Sequence, residues 1–215
     1  RWGIDPILTN ASITAAYFEF EPDHRERTNF DFYLELSSSC HISIEVKFTE
    51  PDFGKTSPCK SDPCKYARKW DELYTPLLKE CPAAAKRLLE CQNESDPFDC
   101  VFNGELNEKC PRSIGCFVHE FYAHYQIWRN ISYASLQSDV VLFLTPKEND
   151  ALDIERNYID ALSEQFSGPI VQNIYWEDLL EITQAKATND YTLDVYLKLF
   201  AKKYLIKSPS LGNNL

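Results

Sequence analysis

Two short segments, FDFYLEL at 30–36 and HISIEVKF at 41–48, alternate apolar and polar residues and lie only four residues apart. Successive side chains of a strand point to opposite faces, so each segment has one apolar and one mixed face. The short SSSC connection leaves room for a hairpin but not for a crossover, so the two strands must run antiparallel. Phe30, Phe32, Leu34 and Leu36 fall on one face, as do Ile42, Ile44, Val46 and Phe48. Asp31, Tyr33, Glu35, Glu45 and Lys47 take the other. The stretch AAYFEFEP at 15–22 also alternates, with Phe18 and Phe20 on one side and Tyr17, Glu19 and Glu21 on the other. The polar turn DHRERT joins it to the hairpin and completes a three-stranded meander.

Beyond the hairpin the rhythm changes. Residues 51–115 are rich in Cys, Pro and charge, and read as an insertion with short helices at about 66–80 and 82–91. Pro76 should disturb the first of these, because it lacks an N–H and clashes with the preceding turn. One long helix is expected at 115–136, with Phe117, Phe121, Tyr125, Trp128 and Ile131 at three- and four-residue steps. VVLFLTP at 140–146 is a continuous apolar run, as expected of a strand covered on both faces in a parallel arrangement. A helix at 150–166 ends before Gly168-Pro169, PIVQNIYW forms another strand, and helices follow from WEDLLEI and at 189–205. The order predicts a single α/β domain over 1–215, with a mixed sheet of antiparallel meander followed by parallel strands.

Pairing Leu36 with Ile42 across the loop sets Asp31 opposite Lys47 and Tyr33 opposite Glu45. Asp31 and Glu45 are then diagonal neighbours, roughly 7–8 Å apart at the backbone. Two readings follow. A solvated sheet face with a cross-strand ion pair would contribute only about 0.2–1 kcal/mol. Alternatively, the two carboxylates share a hard divalent ion such as Mg²⁺, and Lys47 orients a water bound to it.

The arrangement of Asp31 on one strand and Glu45-Val46-Lys47 on the next resembles the PD-(D/E)XK nuclease superfamily. FEFEP, RTNFDFYLEL and ISIEVKFTEPDFGK, followed by YQIWRN, are similar to a bacterial family of restriction endonucleases. Those proteins join an RTS-D strand to an EVKYTE-FG strand, with a later YQ-xx-RN helix. The resemblance covers about 15–56 and 120–145. It implies a three-layer restriction-endonuclease-like core carrying a Cys-rich helical insertion, and metal-dependent cleavage of double-stranded DNA. Separately, a chain of 215 residues with this much apolar content needs no disulfide staples, so a cytoplasmic location with mostly reduced thiols is expected, with a homodimer as a candidate assembly. In the nuclease reading Asp31 and Glu45 hold Mg²⁺ (or Mn²⁺), Lys47 positions water, and Gln126 on the long helix lies near the metal. Glu19 is a candidate extra acid. On that helix His119, Tyr122, Gln126, Arg129, Asn130 and Tyr133 form a polar stripe, read either as a hydrated face or as the side turned to the hairpin.

The formal charge of −11 argues against a constitutive nucleic-acid binder, but residues 51–70 form a basic island. Lys55, Lys60, Lys65, Arg68 and Lys69 there, with Arg129, are the candidates for phosphate contact. Cys59, Cys64, Cys110 and Cys116 could hold Zn²⁺, although their spacings are looser than the usual knuckle, so zinc is the less favoured cofactor. No apolar run reaches the length of a membrane span. The chain contains no methionine, so an N-terminal segment is expected to precede Arg1. Eight Cys and three N-x-S sequons keep a secreted disulfide-rich domain open as one alternative. A catalytically inactive nuclease-fold binding or assembly protein is another.

Overall fold

Strand alternation and apolar runs build one five-stranded mixed sheet in the computed structural model, which describes residues 11–26, 29–54, 68–92, 117–187 and 190–203. The strands are β1 (Ile13–Phe20), β2 (Phe30–Leu36), β3 (His41–Val46), β4 (Val140–Thr145) and β5 (Ile170–Tyr175), in the sheet order β1-β2-β3-β4-β5. The first three pair antiparallel, and β3–β4 and β4–β5 are parallel. The expected meander followed by parallel strands is the observed architecture.

The hairpin register differs from the expected one by two residues. Phe32 pairs with Ile44 and Leu34 with Ile42, while the Leu36 N–H donates to the Cys40 carbonyl at 3.0 Å. The loop is therefore the three residues Ser37, Ser38 and Ser39, and Cys40 belongs to the ladder. Ser39 makes this tight reversal possible by adopting a left-handed conformation, φ 61°, which is common at the last position of three-residue hairpin loops. Because the shift is even, Asp31, Glu45 and Lys47 still share one face. The Phe30 ring at the strand start, by contrast, packs on Tyr33 and Tyr133 rather than beside Phe32.

In β1 the alternation is broken. Phe18 packs on Phe32 at 4.8 Å, whereas Phe20 stacks on Tyr33 at 4.3 Å, so the two phenyl rings do not share a face as expected. Glu19 between them has φ 51°, and this positive-φ residue turns the strand over.

The helices are α1 (Thr75–Glu80), α2 (Ala85–Gln92), α3 (Phe117–Ala123), α4 (Tyr125–Ser132), α5 (Asp153–Gln165), α6 (Trp176–Lys186) and α7 (Tyr191–Lys203). A π-helical turn, Trp70–Tyr74, leads into α1. Residues 68–80 form one continuous helix, as expected, because Lys69, Tyr74 and Thr75 all keep right-handed helical geometry across the junction. Pro76 disturbs it as expected: the π-helical turn, closed by the Thr75 N–H on the Trp70 carbonyl, falls directly before the proline. The long helix expected at 115–136 is two helices, α3 and α4. His124 between them leaves helical geometry at φ −119°, ψ 47°, with its ring stacked on Tyr158 at 3.6 Å.

The main core forms on one face of the sheet. Val141, Phe143 and Val171 meet Trp70, Leu73, Tyr74 and Leu78 from the π-turn and α1, Phe121 from α3, Trp128 and Ile131 from α4, and Ile159 and Leu162 from α5. Residues 68–92 of the Cys-rich stretch thus contribute directly to this core, along with Phe53 from the loop after β3. A second cluster of Leu180, Ala187, Leu197 and Ala201 joins α6 to α7. It reaches the other side of the sheet through Phe48, which stacks on Trp176 at 4.8 Å.

Candidate active site

The mixed face of the hairpin is the face turned to the main core. Ser43 and Glu45 of β3 lie beside Val141 and Phe143 of β4, and all four side chains are buried. Lys47 is buried with them, whereas Ile42, Ile44 and Val46 on the reverse face are only half-buried. The polar face is therefore not solvated.

Continuing the observed register by one pair places Asp31 directly across from Glu45, closer than the diagonal first expected. Asp31 Oδ2 accepts a hydrogen bond from the Val46 N–H at 2.6 Å, which holds its carboxyl against the end of β3. Burial raises the Asp31 pKa above the ordinary value. The Val46 N–H works in the opposite direction, and the nearby Glu45 carboxylate adds to the rise. Lys47 is fixed at both ends. Its N–H extends the β3–β4 ladder to the Leu144 carbonyl at 2.8 Å, and its Nζ donates to Glu45 Oε1 at 2.9 Å.

The other Glu45 oxygen is held from α4. Asn130 Nδ2 donates to Glu45 Oε2 at 3.1 Å and an Arg129 terminal nitrogen does so at 3.2 Å. Arg129 also donates through Nε and a terminal nitrogen to Asn130 Oδ1, at 3.0 and 2.8 Å. Consecutive helix residues point about 100° apart, and this side-chain fork lets both reach one carboxylate. Arg129, a candidate for phosphate contact from sequence, is instead buried and turned inward, and with Asn130 it forms a clamp on Glu45. Helical spacing showed that the pair lay on a polar stripe but not what the stripe faced. The hydrated-face reading does not hold for Tyr122, Arg129 and Asn130, all of which are buried.

Gln126 lies one turn before this clamp, against the loop after β3. Asp52 Oδ1 accepts from the Gly54 N–H at 2.7 Å and curls that loop. Gly54 has φ 72°, and a Cβ there would stand 3.2 Å from Gln126 Cδ. Phe53 enters the core edge-on to Phe143, with the Lys47 Nζ 5.9 Å from its ring centroid. The FG of DFGK therefore seats Lys47 and leaves room for Gln126. Gln126 Oε1 is buried without a hydrogen-bond donor among the described residues.

The remaining candidates are more scattered. The Glu19 side chain is exposed and accepts from Asn29 Nδ2 at 3.4 Å, yet it is near enough to Asp31 to contribute to the raised pKa. Lys69 pairs with buried Glu26 at 2.9 Å, and Tyr125 also donates to that carboxylate. Arg68 is exposed. Lys55, Lys60, Lys65, Cys59, Cys64, Cys110 and Cys116 lie outside the described residues, as does the His119 side chain. Cys40 and Cys81 are buried free thiols. The sequon residue Asn130 is 1% exposed and hydrogen-bonded, which closes it to a glycan in the folded state. Among the described residues, no group of three or more His, Cys, Asp or Glu is arranged to hold a metal. No described helix is long and apolar enough to cross a membrane.

Asp31 and Glu45 nevertheless suit a hard cation that keeps several waters. Among the described residues Asp31 Oδ1 accepts no hydrogen bond, and the three donors on Glu45 leave part of its acceptor capacity unused. No curated protein and no solved structure matches the chain. A family model described as "Restriction Endonuclease associating with ARP" matches residues 4–205, nearly the whole sequence. The chain belongs to this restriction endonuclease family.

Proposed function

We propose that the protein is a metal-dependent DNA endonuclease of restriction type, built on a restriction-endonuclease-like core. The observation that carries this reading is the convergence of Asp31, Glu45 and Lys47 on one face at the end of β3, in a chain of a restriction endonuclease family. Asp31 and Glu45 would hold Mg²⁺ or Mn²⁺, which when bound supplies Lewis acidity and lowers the pKa of water. Lys47 orients the attacking water through its ammonium, and Arg129 and Asn130 keep the Glu45 carboxylate from rotating. Gln126, whose buried carbonyl oxygen has no donor among the described residues, would accept a hydrogen bond at the edge of the site. The substrate is duplex DNA, with the basic residues at 55–69 as phosphate contacts, and a cytoplasmic location follows from that role.

Cleavage of supercoiled plasmid in Mg²⁺ or Mn²⁺ tests the proposal. The wild-type protein should nick or cut. Lys47→Met should lose at least about a hundredfold in rate, the scale of removing a positioned catalytic group. Equal cleavage by wild type and Lys47→Met would refute the assignment.

One observation favours a second reading, a nuclease-fold protein that binds or assembles without cutting. Glu45 is already held by two cations and an amide, so the cluster is complete as an ion network. In that case calorimetric titration with Mn²⁺ would show no binding that depends on Asp31. The family's description as endonucleases associating with ARP is compatible with either reading.

A further inference from the structure

The sheet ends at β5, and among the described residues the outer backbone edge of that strand pairs with no other strand. A cleft of about 510 Å³ runs beside it. Four consecutive residues, Gln172 to Tyr175, line this cleft. Alternate residues of a strand point to opposite faces, so four in a row can border one cavity only along the strand's edge. The remaining walls come from α5 and α6 and are acidic: Asp160 and Glu164 from α5, and Asp178 from α6.

These carboxylates differ in their partners. Lys147 neutralises Asp178. Asp160 and Glu164 are one helical turn apart, and among the described residues neither has an ion-pair partner within contact distance. Like charges at this spacing destabilise a helix; burial, and then the Glu164 charge, raise the Asp160 pKa, while Arg156 opposes the rise without pairing directly. A cation in the cleft would relieve both effects. Asn173, also on the cleft wall, accepts from Thr145 at 3.0 Å through Oδ1, but its Nδ2 is buried with no acceptor.

We propose that the β5 edge is a docking site for an extended, basic segment of a partner protein, which adds as a sixth strand and places Lys or Arg side chains against Asp160 and Glu164. Backbone hydrogen bonds along an open edge supply affinity in this mode, and alternate side chains supply selectivity. The acidic walls disfavour nucleic acid, so the edge serves a different ligand from the one proposed for the carboxylate site. The two sites are independent, since β5 is separated from β3 by the full width of β4.

Hydrogen exchange of the full chain tests this, using as probes an acetylated, amidated octapeptide of alternating Lys and Thr and its Glu–Thr counterpart. The Lys–Thr peptide should slow exchange at residues 170–175 and bind at least about tenfold more tightly than the Glu–Thr peptide. Asp160→Lys combined with Glu164→Lys should abolish or reverse that preference and leave plasmid cleavage unchanged. No protection at 170–175, equal protection by both peptides, or an unchanged preference in the double variant would each overturn the proposal. Protection of 170–175 that appears with rising protein concentration and no peptide would assign the edge to a second copy of this chain. Protection by a duplex oligonucleotide would assign it to DNA. Either result overturns the peptide assignment.

Discussion

Replacing Glu45 with alanine tests the buried cluster most directly. The residue is 5% exposed and accepts from Lys47, Asn130 and Arg129 at 2.9, 3.1 and 3.2 Å. Without its carboxylate, two cations remain with side chains only 9% and 5% exposed. Asn130 Oδ1 still serves Arg129, but no described acceptor remains for the Lys47 Nζ. Removing one partner of a buried ion pair costs about 3–5 kcal/mol. In a chain of this length each kcal/mol lowers the melting temperature by about 2–4 °C, so a fall of roughly 6–20 °C is expected. Urea unfolding in EDTA, followed by fluorescence of the buried Trp70 and Trp128, reads this loss. Adding Lys47→Met to Glu45→Ala removes the stranded ammonium and should restore part of the stability, giving a positive coupling in a double-mutant cycle. Metal provides the second measurement. At a tenfold excess over its dissociation constant, Mg²⁺ should stabilise the wild type by about 1.4 kcal/mol and Glu45→Ala by nothing. A loss below about 1 kcal/mol in EDTA would refute the reasoning, because only a solvated carboxylate is removed so cheaply.

Three other outcomes follow. The folded state raises the Asp31 pKa, so this group's contribution to stability is fully present below its ordinary value of 3.8 and is lost as pH rises through the higher folded value. Asp31→Asn should therefore raise the urea midpoint of the metal-free protein at pH 7, leave it little changed at pH 3, and remove stabilisation by Mg²⁺; a lower midpoint at pH 7 contradicts the sign. Gly54→Ala must fit a Cβ at φ 72° within 3.2 Å of Gln126, costing about 1–2 kcal/mol and lowering the cleavage rate, with DNA affinity in a gel-shift assay unchanged. Burial pushes the Cys81 thiol up to about 11, and the residue has no exposed surface; iodoacetamide at pH 8 should leave it unmodified in the native protein and alkylate it in urea, as peptide mass mapping would show.

Much of the sheet was legible because period-two alternation and the unbroken VVLFLT run are local patterns. The shared face of Asp31, Glu45 and Lys47 was legible for the same reason, and it survived a register error because that error was even. The register itself was not legible: three serines do not announce which of them takes a left-handed conformation. The reversal of β1 at Glu19 was hidden in the same way, since a positive φ at a glutamate has no compositional signal. Neither Pro nor Gly marks the break at His124, which shows itself only through the stacking of its ring on Tyr158. The burial of the polar face and the clamp from Arg129 and Asn130 depend on which helix face meets which strand. Spacing along one chain segment cannot state that.

The clamp also bears on when the site becomes competent. Asp31 and Glu45 are matched in formal charge by Lys47 and Arg129, so the neighbourhood is balanced before any ion arrives. A carboxylate pair without such cations would repel itself and make folding wait for the metal. Under the proposed function, the chain would therefore fold without its ion and persist as an idle protein. Ion supply would then act as a switch on a finished structure, and chelation would silence the protein without unfolding it.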